Sequence, residues 1–303
     1  MKIYTALLIF TTFLVAISCE YEEGSEGESS NNYIQFSDNM NEVNFPSFEL
    51  IGEIDKIFKH PESVVYDSTS MMLYVSNVGD DEELKTDGYI SQINLNGEIV
   101  DPNWVTGLTN PRGMCIIDRT LLVADANRII KIDIGSGMVT DIITAPELKL
   151  LSDLEKDADG NIYITDSQLN SIYILENDSL RLWKKDAILD GPAGLHYSEN
   201  QMWVTSSRGY KLMMVDLKSG KTIQVADSLQ KARGITIIDQ DLIVGGLSGQ
   251  LYGVKESVDF RWPLIDLQMQ QDNFADILYI KEYNVLFVPT YNGNSVLAIS
   301  VLK

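Results

Sequence analysis

Six times along this chain the same kind of turn recurs, with Glu62, Arg112, Asp153, Ala193, Arg233 and Asp276 at its centre and intervals of 50, 41, 40, 40 and 43 residues. A unit of about 40 residues that holds four short strands cannot bury both of its faces alone, so the units must stack, and stacking them in a ring gives a β-propeller. Each turn, such as Asn110-Pro111-Arg112-Gly113 or Lys231-Ala232-Arg233-Gly234, leads into a brief apolar stretch, Met114-Cys115-Ile116-Ile117 or Ile235-Thr236-Ile237-Ile238. These read as the inner strands. An Asp-, Asn- or Gly-bearing turn follows, as in Asp157-Ala158-Asp159-Gly160-Asn161, and then an aromatic and β-branched run such as Leu73-Tyr74-Val75, Ile162-Tyr163-Ile164 or Met202-Trp203-Val204. Third strands follow at 89–95, 128–134, 171–175, 211–217, 250–254 and 295–301. Period two without a sustained helical period predicts an all-β chain.

The sixth unit ends at Lys303 before a fourth strand can form, while the segment 48–54 lies upstream of the first turn with no unit of its own. Pairing the two closes the ring and removes an open edge between the first and last blades. The expected fold is therefore a six-bladed propeller of four-stranded antiparallel blades over 48–303, its last blade completed by the N-terminal strand.

Upstream, Met1-Lys2 and the apolar run 3–18 have the charge, length and small-residue end of a secretory signal and are too short to span a bilayer. Cys19 after Ala16-Ile17-Ser18 resembles the lipobox of bacterial lipoproteins, with Ala16 where Leu is usual. Glu20, Glu22, Glu23, Glu26 and Glu28 follow among Gly and Ser, giving 19–47 the composition of an acidic, flexible tether. Such a tract resembles the signal that sends some Gram-negative lipoproteins to the outer face of the outer membrane; a plain linker is the other reading. With Cys19 lipidated, Cys115 is left as a lone thiol on an inner strand. A net charge of −21 repels nucleic acid and leaves acyl chains, not anionic lipid, as the means of anchoring.

The six turn residues should encircle one mouth of the central channel. In blade order they are acid, base, acid, small, base, acid, so Asp276 stands between Arg233 and Glu62. Such a ring can neutralise itself through ion pairs, or Arg112 and Arg233 can clamp the carboxylate or phosphate of a small anion or zwitterion beside Ala193. Both readings stay open.

At these turns the chain resembles the gluconolactonase family, also called the SMP-30 or regucalcin-like family. The resemblance implies a six-bladed propeller that hydrolyses sugar lactones with a central divalent metal. Pro61-Glu62-Ser63-Val64-Val65-Tyr66 looks like the turn whose Glu binds that metal, Ser152-Asp153 stands at an Asn-Asp, Pro192-Ala193-Gly194-Leu195 looks like Pro-Asn-Gly-Leu and Ala232-Arg233-Gly234 like Pro-Asp-Gly. Ala193 offers no ligand and Arg233 puts a fixed positive charge where a carboxylate is expected, so of the metal ligands that the resemblance implies only Glu62 remains, and no cofactor is expected. The primary expectation is a non-catalytic binding or scaffold module in the cell envelope, taking an envelope protein or a small molecule at the mouth. Its rival is a lactonase-like hydrolase working through Glu62, Asp153, Asp276 and His60.

Neither His60 nor His196 has an identifiable acid partner, and no nucleophile elbow, Cys-His pair or phosphate loop is present. A second ring, Asn77, Asp125, Asp166, Ser206, Gly246 and Thr290, follows the second strands; the blades resemble NHL and YVTN-type propellers there, in which such residues hydrogen-bond the turns. The acidic insertion 79–88 accounts for the long first interval and lacks the ligand spacing of an EF-hand. Trp104, Trp183 and Trp262 fall on expected outer strands.

Overall fold

Side chains alternate between the two faces of a strand, so every strand of a blade can pack against both neighbouring blades at once. The computed structural model describes residues 35–36, 45–54, 57–80, 86–176, 178–255, 260–266 and 273–302. Blade 1 is built from Pro61–Asp67, Met72–Asn77, Gly88–Asn94 and Ile99–Leu108; blade 2 from Pro111–Ile117, Thr120–Asp125, Arg128–Asp133 and Val139–Thr144. Leu151–Lys156, Ile162–Asp166, Ser171–Glu176 and Ser179–Lys185 form blade 3; Pro192–Ser198, Gln201–Ser206, Lys211–Asp216 and Thr222–Ala226 form blade 4. Blade 5 holds Ala232–Ile238, Asp241–Gly246, Gln250–Lys255 and Phe260–Asp266, and blade 6 holds Leu278–Ile280, Val285–Thr290 and Ser295–Leu302. Within each blade consecutive strands pair antiparallel, and the first strands of successive blades are neighbours around the channel.

The outer strand of blade 6 is Ser47–Ile54, antiparallel to Ser295–Leu302 with Ser47 opposite Leu302 and Ile54 opposite Val296. The expected closure is thus the one observed, and it begins upstream of Phe48. Phe45 is buried against Gly253, and Gln35–Phe36 adds a short fifth strand to the outer edge of blade 5. Six apolar clusters lie one between each pair of adjacent blades. Between blades 1 and 2, for example, Tyr74 and Ile90 meet Met114 and Leu121. Outer-strand Trp104 packs on Tyr74 and Trp183 on Tyr163, at centroid distances of 4.7 and 5.0 Å. The first and last blades are clasped a second time on the rim, where His60 donates its backbone N–H to Asn294 Oδ1 at 2.8 Å and stacks its ring on Tyr291.

Candidate functional site

Each inner strand breaks register where its turn residue sits. The shifts fall between Pro61 and Ser63, Pro111 and Met114, Leu151 and Leu154, Pro192 and Leu195, and Ala232 and Ile235. In blade 6 Asp276 lies between an isolated bridge at Phe274 and the strand that starts at Leu278. A bulge leaves its extra residue out of the ladder and re-aims the side chain, here off the blade face and toward the channel. Five of the six turn residues, Glu62, Asp153, Ala193, Arg233 and Asp276, line one central cavity together with Ser63, Ser152 and the glycines Gly113, Gly194 and Gly234. Centres of water-sized spheres occupy about 20 Å³ of it, room for a single small group. Arg112 stands behind Glu62, its Nε donating to Asn110 Oδ1 at 3.0 Å.

Ion pairing inside the ring follows blade order for Arg112, which pairs with its neighbour Glu62, and departs from it for Arg233. Both guanidiniums converge on one oxygen: Arg233 Nη1 lies 3.0 Å and Arg112 Nη1 3.5 Å from Glu62 Oε1. Arg233 therefore reaches past its neighbour Asp276 to a carboxylate two blades on. Asp276 instead accepts from the Ser63 hydroxyl at 2.6 Å and from the Ile277 N–H at 2.8 Å. Asp153 accepts from the Leu195 N–H at 2.7 Å and from its own neighbour Leu154 at 2.8 Å. Three buried polar atoms on the cavity wall, Glu62 Oε2, Ser152 Oγ and Arg233 Nε, have no hydrogen-bond partner among the described residues.

Hydroxyls that the sequence reading passed over hold the ring in place. Ser76 Oγ donates to Arg112 O at 2.7 Å, Thr165 Oγ1 to Ala193 O at 2.7 Å and Thr205 Oγ1 to Arg233 O at 2.6 Å, each from the second strand of one blade to the turn residue of the next. The same oxygens accept the N–H of Ser63, Asp153 and Gly194 in their own blades. Their signal was the repeated hydroxyl just before a ring residue, in Ser76-Asn77, Thr165-Asp166 and Thr205-Ser206. Blades approach so closely there that a Cβ on Gly113, Gly194 or Gly234 would come nearer to the next blade than the 3.0 Å that real Cβ atoms keep.

Burial raises the proton affinity of the carboxyls in this channel. It holds Asp153 well above the usual carboxylate range, with the charge of Asp276 adding to the effect, and it pushes Asp276 up to about 6 against the opposing hydrogen bond from Ser63. Glu155, farther along the inner strand of blade 3, is pushed up to about 8 by burial although it accepts the Tyr197 N–H. Protonation of such groups favours the folded state: their contribution is complete below the unfolded carboxyl range near 4 and is lost as pH rises through the folded values. Melting temperature is therefore expected to fall from about pH 4 upward, the Asp276 contribution being lost by about 6 and the Glu155 contribution by about 8. Asp276→Asn should remove the first step, on the order of 1–2 kcal/mol after allowance for partial solvent contact. A melting profile identical to that of the wild type would contradict this assignment.

His60 does not face the cavity as a free base. Its Nδ1 pairs with Gly79 O at 2.8 Å and its ring lies on Tyr291, so it serves the clasp between the first and last blades. Burial pushes His196 down to about 4 and leaves it neutral. The second ring caps turns, but the turns are those entering the inner strand of its own blade: Asn77 Oδ1 accepts from Lys59 N–H, Asp125 Oδ1 from Thr109 and Asn110, and Asp166 Oδ2 from Lys149. Cys115 is free and partly buried, its thiol pushed up to about 12 by desolvation. Cys19, the acidic tract behind it and residues 81–85 of the acidic insertion lie outside the described residues.

Neither a protein-family model nor a curated protein matches the sequence. Solved structures do match. A gluconolactonase from Xanthomonas campestris superposes with a TM-score of 0.69 at 13% identity, over 93% of this chain and 99% of that one. Virginiamycin B lyase from Staphylococcus aureus gives 0.62 at 14% identity, over 84% of this chain and 100% of that one. The WD40 propeller domain of Doa1 gives 0.59 at 14% identity, over 78% and 77% of the two chains. The likeness is one of fold. At such identities the shared ring shows the fold alone and leaves site and chemistry to the residues.

Proposed function

We propose that this protein is a lipid-anchored binding module of the cell envelope, held by Cys19 to the outer membrane, which takes a small molecule or the exposed segment of an envelope protein at the channel mouth. One observation carries the reading: Glu62 Oε2, Ser152 Oγ and Arg233 Nε are buried on the wall of one cavity without partners among the described residues, and buried polar atoms in that state call for a ligand. The donor set does not fit a divalent metal. Glu62 Oε1 is taken by two guanidiniums whose charge opposes a cation, Ala193 has no donor atom, and among the described residues no three His, Cys, Asp or Glu side chains are grouped to hold an ion. The leader-like segment 1–18, Cys19 and the acidic tract support the anchoring half of the proposal.

A hydrolase with a rearranged centre is the second reading, favoured by Asp153 and Asp276, two carboxyls on one cavity wall whose proton affinities burial raises. Calorimetric titration with Ca²⁺, Zn²⁺ and Mn²⁺ separates the two. The binding module gives no stoichiometric uptake and yields an envelope partner or ligand on capture from membrane extracts, with Cys19→Ser moving the protein to the soluble fraction. Tight uptake of one ion per chain that disappears in Glu62→Ala supports the hydrolase.

A further inference from the structure

The cavity wall carries one buried acceptor of negative sign and one buried donor of positive sign, both without a partner among the described residues: Glu62 Oε2, on a side chain 5% exposed, and Arg233 Nε. Ser152 Oγ, equally buried and unpaired, lies on the same wall and can donate or accept. A lone anion seated here would answer Arg233 and Ser152 but face the carboxylate oxygen. A lone cation would answer Glu62 but face a guanidinium that the ring already holds in place by Nη1. Only a ligand that carries both signs within a few ångströms of each other meets all three groups without stranding one of them.

We propose that the mouth recognises a small zwitterion of the α-amino-acid type, its ammonium on Glu62 Oε2 and its carboxylate on Arg233 Nε and Ser152 Oγ. This rests on the reading of the mouth as a binding site and names the class of ligand. The depth of the cavity has room for one water-sized group, and the hollow counted out to its open mouth comprises about 230 Å³, in which both charged ends lie side by side while the remainder of the ligand sits at the rim. Arg112 needs no ligand, because its Nε is taken by Asn110 and it serves to hold Glu62.

The charged groups within reach are Glu62 from blade 1, Arg112 from blade 2, Asp153 and Glu155 from blade 3, Arg233 from blade 5 and Asp276 from blade 6; blade 4 contributes uncharged Ala193. Ionised Asp276 favours an ammonium, so affinity falls as pH is lowered, the reverse of what an anion site would show. Asp276 gains its proton around pH 6, which sets the window.

Calorimetry on the full chain with glycine, acetate and methylammonium tests this. Glycine is expected to bind one per chain at about pH 7.5, with both single-charge analogues at least tenfold weaker, roughly the loss of one charge-assisted hydrogen bond. Lowering the pH to about 5 should weaken glycine roughly tenfold. Ser152→Ala, a change at the wall that breaks no ion pair, should weaken it several-fold with an unchanged circular dichroism spectrum. Acetate binding as tightly as glycine, or more tightly at the lower pH, overturns the zwitterion while leaving the mouth a binding site. Silence of all three up to roughly 100 mM overturns it as well. If capture of an envelope partner also survives Arg233→Gln, the mouth itself is not the site and both readings fall.

Discussion

Gly194→Ala should cost about 3 kcal/mol or more of stability, which for a domain of this size lowers the melting temperature by roughly 6–12 °C. The added Cβ would fall on the carbonyl oxygen of Arg233, well inside the closest approach that real Cβ atoms make. No side chain can swing aside there, because the obstacle is backbone already fixed by the Thr205 hydroxyl at 2.6 Å. Blade 5 must therefore move away from blade 4 and carry Arg233 away from its 3.0 Å contact with Glu62. Gly52→Ala is the control, since its Cβ would meet only Ala298 Cβ at 3.9 Å. That change should be neutral or stabilise by a few tenths of a kcal/mol through lost backbone freedom in the unfolded chain. Equal effects of the two substitutions, read by thermal denaturation, would remove the packing argument.

Glu62→Ala is the second large effect expected. Glu62 is the single carboxylate bonded to two guanidiniums whose side chains are 14% and 16% exposed. Removing it leaves two like charges close together with little water, and breaking a buried pair in that way costs about 3–5 kcal/mol. Glu62→Gln keeps the shape and one acceptor and should cost less, about half as much, since the hydrogen bond survives while the charge does not. Either variant should abolish glycine binding. Chemical denaturation of the three proteins under one set of conditions gives the order wild type, Gln, Ala. A Glu62→Ala protein as stable as the wild type would mean that the two arginines are solvated and the ring is not packed as described.

Much of the fold could be read in the chain because a propeller repeats its signals. The spacing of the six turns, the period-two runs and the missing last strand are all local properties, and local properties survive into the structure when every unit has the same surroundings. The segment 48–54 could be placed from bookkeeping of strands alone. Gln35–Phe36 could not, since a run of two residues carries no periodicity. The turn residues were legible as neighbours for the same reason that the blades were. Their pairing was not. Blade order sets Asp276 between Arg233 and Glu62, whereas a guanidinium on a long stem spans more than one blade and takes the carboxylate of Glu62. Asp153 and Glu155 were also hidden in their actual role. An inner strand exposes unpaired N–H groups to the channel, and these two carboxyls satisfy Leu195 and Tyr197 of the next blade, a need that no sequence pattern announces. Asp276 is bound in the same way by Ser63. Ser152 carries no signal in the sequence beyond standing before Asp153, although its buried hydroxyl is one of three polar atoms of the cavity lining without a partner among the described residues.

The two halves of the ring meet over one oxygen, with Arg233 of blade 5 bonded to Glu62 of blade 1 across 171 residues of sequence. A double-mutant cycle on Glu62→Gln and Arg233→Gln, followed by denaturant unfolding, measures that contact directly. A coupling of about 1–3 kcal/mol between the two sites is the predicted result. Losses that simply add, to within about 0.5 kcal/mol, would show that the two side chains do not meet at the channel mouth.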